Sequence, residues 1–411
     1  MWCINLSFQL ANSPVLLLLL QIIFWLSVLA VAHTYLFYPL WLPWKAKGKT
    51  GNRQIYLPNH PLPRVYILMA VYNEEKVLAQ KLDSIFDTTY PLTQVELWIG
   101  SDSSTDATHQ IINRYAERYP NIKLTIFEGR NGKPRIINRL MEANGTGLPP
   151  QSVLVLTDAN VLFTPSLLYQ LVKHFKTPQT GVVGANVLNI GVKDTGISYQ
   201  EMWYIKRENV LKHYESLIGG CMMGAFGACY AMRATLFEPV PSNFVVDDFY
   251  LTMLALEKGH TAIKELEAVC YEDVSDDIQE EYRRKKRISS GNFQNLRRFW
   301  RLLAPEKGFI AFAFLSHKVL RWFTPLLLIA AFCIAGYLAF RTKFYALLFV
   351  LQCVGPVLWF ADFIFGKFNV NIKLFRFARY FYLMNLGLFI GLIKYIKGIE
   401  SNVWKPTKRN A

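Results

Sequence analysis

Four acidic residues stand where apolar, β-branched runs stop. Glu74 follows Val65 to Ala70, Asp102 follows Val95 to Ile99, Asp158 follows Val153 to Leu156, and Asp248 follows Val245 and Val246. In an open sheet of mostly parallel strands, such strand ends share the edge where ligands bind. Carboxylates gathered at one edge repel unless they hold cations or hydrogen-bond donors. Positive charge is supplied by Lys133, in G-R-N-G-K, and by the arginines after Asn292. This combination suits a nucleotide diphosphate held through one divalent cation, Mg2+ or Mn2+, which stabilises charge on a leaving diphosphate. Asp158 reads as the metal ligand. A helix N-cap ahead of Pro165 is the competing reading. Asp248 beside Asp247 reads either as a helix cap or as a site, and two adjacent acids make a poor buried core.

The elements that must carry these residues follow from pattern. Four apolar runs, Val65 to Ala70, Val95 to Ile99, Ile122 to Phe127 and Val153 to Leu156, alternate with helical spacing at Val77 to Phe86 and around Ile111, Ile112 and Tyr115. Strand and helix alternating at this interval indicate βαβ units, an α/β domain and a mostly parallel sheet. The first strand runs into A-V-Y-N-E-E, with no GxGxxG, and the chain has no P-loop, which disfavours a nicotinamide cofactor and an ATPase. A further strand is expected at Val182 to Leu188, a long helix at Ser198 to Ser216, and one or two edge strands at Thr261 to Cys270. Between them, Gly219 to Tyr230 is rich in glycine, which fits either close backbone approach to a ligand or a flexible loop.

The ends have another composition. Residues 1–44 contain no Asp, Glu, Lys or Arg, and the stretch from about Pro14 to Trp41 is long enough to cross a bilayer. It lacks a basic start and a small-residue cleavage site, so it reads as an anchor rather than a removable signal. Lys45, Lys47, Lys49 and Arg53 follow it and predict a cytosolic side. Gly308 to Arg321 reads as an interfacial helix, and Trp322 to Phe340 and Phe344 to Ala361 read as spans. Tyr380 to Ile393 is short for a span. A crossing there would also put Lys405, Lys408 and Arg409 outside, against the charge rule, so a tilted, re-entrant or interfacial helix is the alternative. The expected division is a transmembrane helix at 1–44, a linker at 45–63, a cytosolic domain at 64–303, and interfacial and transmembrane helices at 304–411. The net charge of +15 need not mean nucleic acid, because the basic residues crowd beside membrane segments and suit anionic lipid or phosphate. The run from Arg283 to Arg287 alone fits a solvated face against headgroups. The six cysteines form no CxxC pair, and the histidines show no zinc spacing.

Seven motifs, in one order, resemble the membrane-bound family 2 glycosyltransferases, the inverting group that includes the cellulose, chitin and hyaluronan synthases. A-V-Y-N-E-E resembles the family's opening strand and nucleotide loop, placing Glu74 at the donor. S-D-S-S-T-D-A-T looks like its uridine-binding segment, placing Asp102 on the base. G-R-N-G-K resembles the loop whose lysine, here Lys133, meets the phosphates. T-D-A-N is similar to the metal-binding D-x-D, with Asp158 and Asn160. F-G-A-C-Y-A-M-R resembles the acceptor-side turn, with Gly227 and Ala228. V-D-D resembles the motif whose second acid is the base, here Asp248, with Asp247 in support. Q-N-L-R-R-F-W sits where the synthases carry Q-x-x-R-W, placing Gln294 and Arg297 at the donor and Arg298 or Trp300 by the acceptor.

The resemblance implies a GT-A-type domain and an inverting transfer from a nucleotide sugar, UDP-linked by analogy, to a glycan or lipid-linked acceptor in polysaccharide synthesis, with transfer of one or a few sugars to a lipid-linked acceptor as the alternative. It further implies a multi-pass protein of the plasma (inner) membrane with a cytosolic catalytic domain. Two positions depart from the pattern: Asn160 in place of the second metal acid leaves Asp158 to hold the metal chiefly with the diphosphate, and Arg298 in place of tryptophan weighs against processive polymerisation. The few spans also argue against a channel in one chain, unless subunits form a homo-oligomer. A non-catalytic sugar-nucleotide sensor is the reading from another class.

Overall fold

The computed structural model describes residues 13–399 apart from 53, 193–196, 274–276, 369 and 371. Arg53, Lys405, Lys408 and Arg409, which entered the charge argument above, lie outside the described residues.

Strands β1 (Val65–Val71), β2 (Val95–Asp102), β3 (Ile122–Phe127) and β4 (Val153–Thr157) run parallel, in spatial order β3-β2-β1-β4. Helices α2 (Leu78–Phe86), α3 (Thr108–Arg118) and α4 (Lys133–Asn144) make the crossovers. Every position of β1 and β4 is buried, because both sheet faces are covered. Their side chains alternate between two cores. Tyr66, Leu68, Leu154 and Leu156 enter one, and Val65, Ile67, Val153 and Val155 enter the other. That is the period of two that a strand imposes, and each such side chain contributes about 1.5–3 kcal/mol when fully buried.

Beyond β4 the sheet becomes mixed. β7 (Cys229–Arg233) runs antiparallel to β4, and β6 (Thr180–Ile190) runs antiparallel to β7. β8 (Thr261–Asp273) runs parallel to β6, and β5 (Val161–Phe163) closes the edge antiparallel to β8. The segment read as an edge strand is therefore an inner strand, paired on both sides, and the three-residue β5 is the edge. Pairing of β4 with β7 sets Thr157 beside Cys229, and the Asp158 amide donates to the Ala228 carbonyl (3.1 Å). The glycine-rich turn is thereby fixed against the end of β4.

Among the described residues, three helices are long and apolar enough to cross a membrane: α1 (Pro14–Ala46), α9 (Phe309–Ala339) and α10 (Lys343–Lys367). They meet where Phe24 packs on Ala331, Ala335 and Tyr345. The last turns of α1 enter the main core through Tyr38 and Leu42. Residues 309–321 of the expected interfacial helix run on without a break into the helix expected at 322–340, together forming α9, and their charges are paired inside. His317, Lys318 and Arg321 converge on Glu208 of α6 (Ser198–Gly219). α11 (Lys373–Lys397) is not among the three span candidates and lies along α8 (Ile278–Phe299). A Cβ on Gly391 would stand 2.4 Å from the Ser289 side chain, so only glycine allows this approach, and Ser289 Oγ donates to Leu388 O (2.9 Å).

Candidate functional site

A cavity of about 680 Å3 opens where the carboxyl ends of β1 and β4 meet α6, α8 and α11. Glu74, Lys133, Asp158, Asn160, Gly227, Ala228, Asp247 and Asp248 all face it. β4 delivers Asp158 and the N-terminus of α4 delivers Lys133. The first turn of α7 (Asp247–Glu257) delivers both adjacent acids, where a helix N-terminus favours negative charge.

Lys133 is the hub. Its Nζ lies 2.6 Å from Asp158 Oδ1 and donates to the Gly227 carbonyl (3.1 Å). Burial presses its pKa down, but Asp158, Asp247 and Asp248 outweigh that and hold it above the ordinary lysine value. Asp248 Oδ1 accepts from its neighbour, the Phe249 amide (2.7 Å). Burial and the adjacent Asp247 raise the Asp248 carboxyl to about 6, against the pull of Lys133. Gly227 faces it closely: a Cβ there would lie 2.9 Å from Asp248 Oδ2.

Asp102 is brought to the same end of the sheet but turns away from the cavity. It is fully buried and accepts from Asn131 N (2.6 Å), Gly132 N (3.1 Å) and Arg130 Nε (3.2 Å). It thus pins the loop that carries Lys133. The neighbouring turns interlock with it. Asn73 and Ser103 take left-handed φ values of 52° and 62°, and Asn73 Oδ1 accepts from the Thr105 amide (2.8 Å). Such strained positions persist only where surrounding bonds fix them.

The Q-x-x-R segment lies elsewhere. Gln294 is buried and bonds to Val245 N (3.2 Å) and Asn243 O (2.8 Å), and Asn295 bonds to Val246 O (3.2 Å). These two hold the segment that leads into Asp247, so Gln294 is a support rather than a cavity residue. Arg297 is exposed, Arg298 is held by both oxygens of Glu257 (3.0 and 2.8 Å), and Trp300 is 61% exposed. None of the three faces the cavity. On α8 the cavity is instead lined by Arg287, about three turns earlier, together with Arg283 and Arg284. Arg287 forms no ion pair among the described residues and is within electrostatic reach of Asp158, Asp247 and Asp248. The sequence signal was present in the helical spacing of 280, 283, 284, 287 and 288, which puts the middle of the basic run on one face. Its inward direction depends on α11 and was not legible.

Among the described residues no group of three or more His, Cys, Asp or Glu is arranged to hold a metal. The donor set nonetheless suits a cation shared with a phosphate ligand. Asp158 is open to the cavity, Asn160 turns its amide nitrogen to Glu272 (3.4 Å) and keeps its oxygen, and Asp247 Oδ2 is buried without a hydrogen-bond partner.

The cavity thus gathers an acid cluster and a buried lysine at one sheet edge, with an arginine of α8 that forms no ion pair among the described residues, on an α/β scaffold. The chain matches the family described as Glycosyl transferase family group 2 over residues 153–364, more than half its length, and Glycosyl transferase family 2 over residues 66–237. It belongs to glycosyl transferase family group 2, enzymes that move a sugar from a nucleotide-diphosphate donor to an acceptor, here in a membrane-associated chain with a GT-A-like fold. The Beta-monoglucosyldiacylglycerol synthase of Nostoc sp. is 25% identical over 251 residues, 60% of this chain and 52% of that protein. The Beta-monoglucosyldiacylglycerol synthase of Synechocystis sp. is 24% identical over 256 residues, 60% of this chain and 51% of that protein. The chain thus spans about half the length of these curated relatives. The solved mannosyltransferase PcManGT from Pyrobaculum calidifontis, in complex with GDP-Man and Mn2+, superposes with a TM-score of 0.67. It is 21% identical, and the match covers 91% of this chain and 99% of that one. That likeness is one of fold.

Proposed function

We propose that the chain transfers a sugar, with inversion, from a nucleotide-diphosphate donor to a hydroxyl of a lipid-linked acceptor at the membrane face. The observation that carries this reading is the position of Asp248. It faces the cavity across Gly227 from the Lys133–Asp158 pair, with its carboxyl near 6, so that it is ionised at neutral pH yet basic enough to take a proton. Asp248 accepts the acceptor proton while that oxygen attacks the anomeric carbon, and the bond to the leaving diphosphate breaks. Lys133 and Arg287 offset the charge that develops on the diphosphate. Asp247, buried beside the base, keeps the Asp248 carboxyl raised.

Asp158 and Asn160 are the residues that would hold Mg2+ or Mn2+ together with the diphosphate. When bound, the ion would supply Lewis-acid stabilisation of the leaving group. Support for the ion comes from Asp158 and the orphaned oxygen of Asp247, and from the Pyrobaculum mannosyltransferase, whose structure is in complex with GDP-Man and Mn2+. A uridine base rests on the motif around Asp102, whose role here is to brace the phosphate loop. Screening purified protein with nucleotide sugars, read as released nucleoside diphosphate, tests the reading. No turnover of any donor with membrane lipids present would refute it.

Transfer of one or a few sugars is favoured over polymerisation. Trp300 stands outside the cavity, and the named activity of the Nostoc relative concerns a lipid. A ladder of long products would overturn this preference. We further propose that the domain lies in the cytosol. It sits at the end of α1 that carries Lys45, Lys47 and Lys49, and Lys367, Lys373, Arg376 and Arg379 cluster at the corresponding ends of α10 and α11. Labelling of a Gln151→Cys variant from outside sealed cells would contradict that placement.

A further inference from the structure

The cavity continues past the acids towards the membrane helices. One face of α6 lines this part with Gln200, Trp203, Arg207 and Glu208, and α9 adds Arg321. Positive charge is in excess there. The carboxylate of Glu208 meets His317 (3.0 Å), Lys318 (2.9 Å) and Arg321, and His317 also meets Glu215 (2.6 Å). Arg321 Nε is buried with no hydrogen-bond partner. Arg207 bonds only to the Tyr35 carbonyl of α1, lies beside the Trp203 ring (5.6 Å) and pairs with no carboxylate among the described residues. Burial and the charge of Arg321 both press its pKa below the ordinary arginine value. Two guanidiniums that repel across a polar recess suit an anion, since an anion between them relieves both.

The wall beyond them is apolar. Tyr35 of α1 and Phe381 of α11 meet edge to face with ring centroids 5.6 Å apart, and Phe377 and Met384 of α11 lie beside them. Tyr35 belongs to a π-helical turn, His33–Phe37, within a candidate span. The recess is therefore polar at its floor and aromatic where it meets the membrane helices, the pattern an amphiphile requires.

We propose that Arg207 and Arg321 bind the phosphate of the acceptor lipid, whose tail leaves between α1 and α11 past Tyr35 and Phe381. This rests on the transferase reading above and names the acceptor's chemistry: a phosphate ester, unlike the uncharged diacylglycerol in the name of the Nostoc relative. No covalent step at this phosphate is involved. Its work is to hold the sugar-accepting end of the molecule towards Asp248.

The test uses the full-length protein in a nonionic detergent, with binding read from tryptophan fluorescence, for which Trp203 and Trp322 both line the cavity. Dodecyl phosphate, dodecanol and inorganic phosphate are the probes. Dodecyl phosphate is expected to bind at least about ten-fold more tightly than either control, as one charge-assisted contact in a dry site allows. Arg207→Gln should lose about ten-fold of that affinity, Arg207→Lys should recover part of it, and both should keep nucleoside diphosphate binding. Equal binding of dodecanol would mean that the site reads only the tail, and equal binding of inorganic phosphate would mean that it reads a free anion. Unchanged affinity in Arg207→Gln would also overturn the proposal. In each case retained donor binding would leave the transferase reading standing, whereas loss of donor binding by the unmodified protein would count against that reading instead.

Discussion

Replacing Arg287 and Arg297 in turn asks which part of α8 belongs to the donor. Arg287 is half-buried, faces the cavity and forms no ion pair among the described residues, while Asp158, Asp247 and Asp248 supply the charge it senses. A bound diphosphate would take at least one charge-assisted hydrogen bond from it, worth about 1.5–3 kcal/mol. Arg287→Ala should therefore weaken nucleoside diphosphate binding by roughly 10- to 150-fold. Arg297 lies about 15 Å farther along the helix, at about 1.5 Å per residue, and is exposed. Its loss should cost no more than about 0.5 kcal/mol, or roughly two-fold. Calorimetry of both variants in one detergent, at low and high salt, provides the measurement. Removing Arg287 also takes a cation from beside the acids, so the activity profile should move to higher pH. Equal affinities, or a larger loss in Arg297→Ala, would show that the site runs along α8 in the direction the Q-x-x-R spacing implied.

Other outcomes follow from the same geometry. Gly227→Ala places a Cβ 2.9 Å from Asp248 Oδ2, so the carboxylate must shift; turnover should fall about 10- to 100-fold, with donor affinity kept, and an unchanged rate would show that this contact does not position the base. Asp158→Ala should abolish the Mn2+ dependence of donor binding, whereas Asn160→Asp should tighten it; a titration showing the same dependence in Asp158→Ala would remove that residue from the role. The rate should fall as pH drops through about 6, because Asp248 must be ionised. Lys133→Met should move that midpoint up, since Lys133 holds it down, and a downward shift would reverse the assigned electrostatics. Stability runs the other way. A carboxyl raised from 3.8 to about 6 favours the fold most below the lower value and loses that contribution as pH rises through the higher one.

The four parallel strands were legible because a strand buried on both faces must be an apolar run that stops where it meets the ligand edge. Ile122–Phe127 matched its expected bounds, and β1, β2 and β4 extended theirs by a few residues. β7 was hidden because its partner-facing residues follow directly from a glycine-rich turn. β8 looked like an edge strand because β5, its outer neighbour, has only three residues. Glu74, Asp158 and Asp248 were named from strand ends and Lys133 from its charge, whereas Asn160, Gly227, Ala228 and Asp247 came from the family motifs, and all eight face one cavity. Arg287 escaped because its inward direction depends on α11, a helix more than eighty positions later. The short distance between Gly391 and Ser289 decides which face of α8 is covered, and no local pattern encodes it.

The central claim is that Asp248 takes the acceptor's proton and does not hold the donor. Its most direct test is Asp248→Asn, which keeps the size of the side chain and removes the proton acceptor. Donor affinity and single-turnover rate should be measured separately on the same preparation. The account predicts a rate loss of about 10² to 10⁴-fold with donor affinity almost unchanged, and a milder loss for Asp247→Asn. A parallel loss of donor affinity and rate would assign Asp248 to the metal and diphosphate, and a larger loss in Asp247→Asn would move the base to its neighbour.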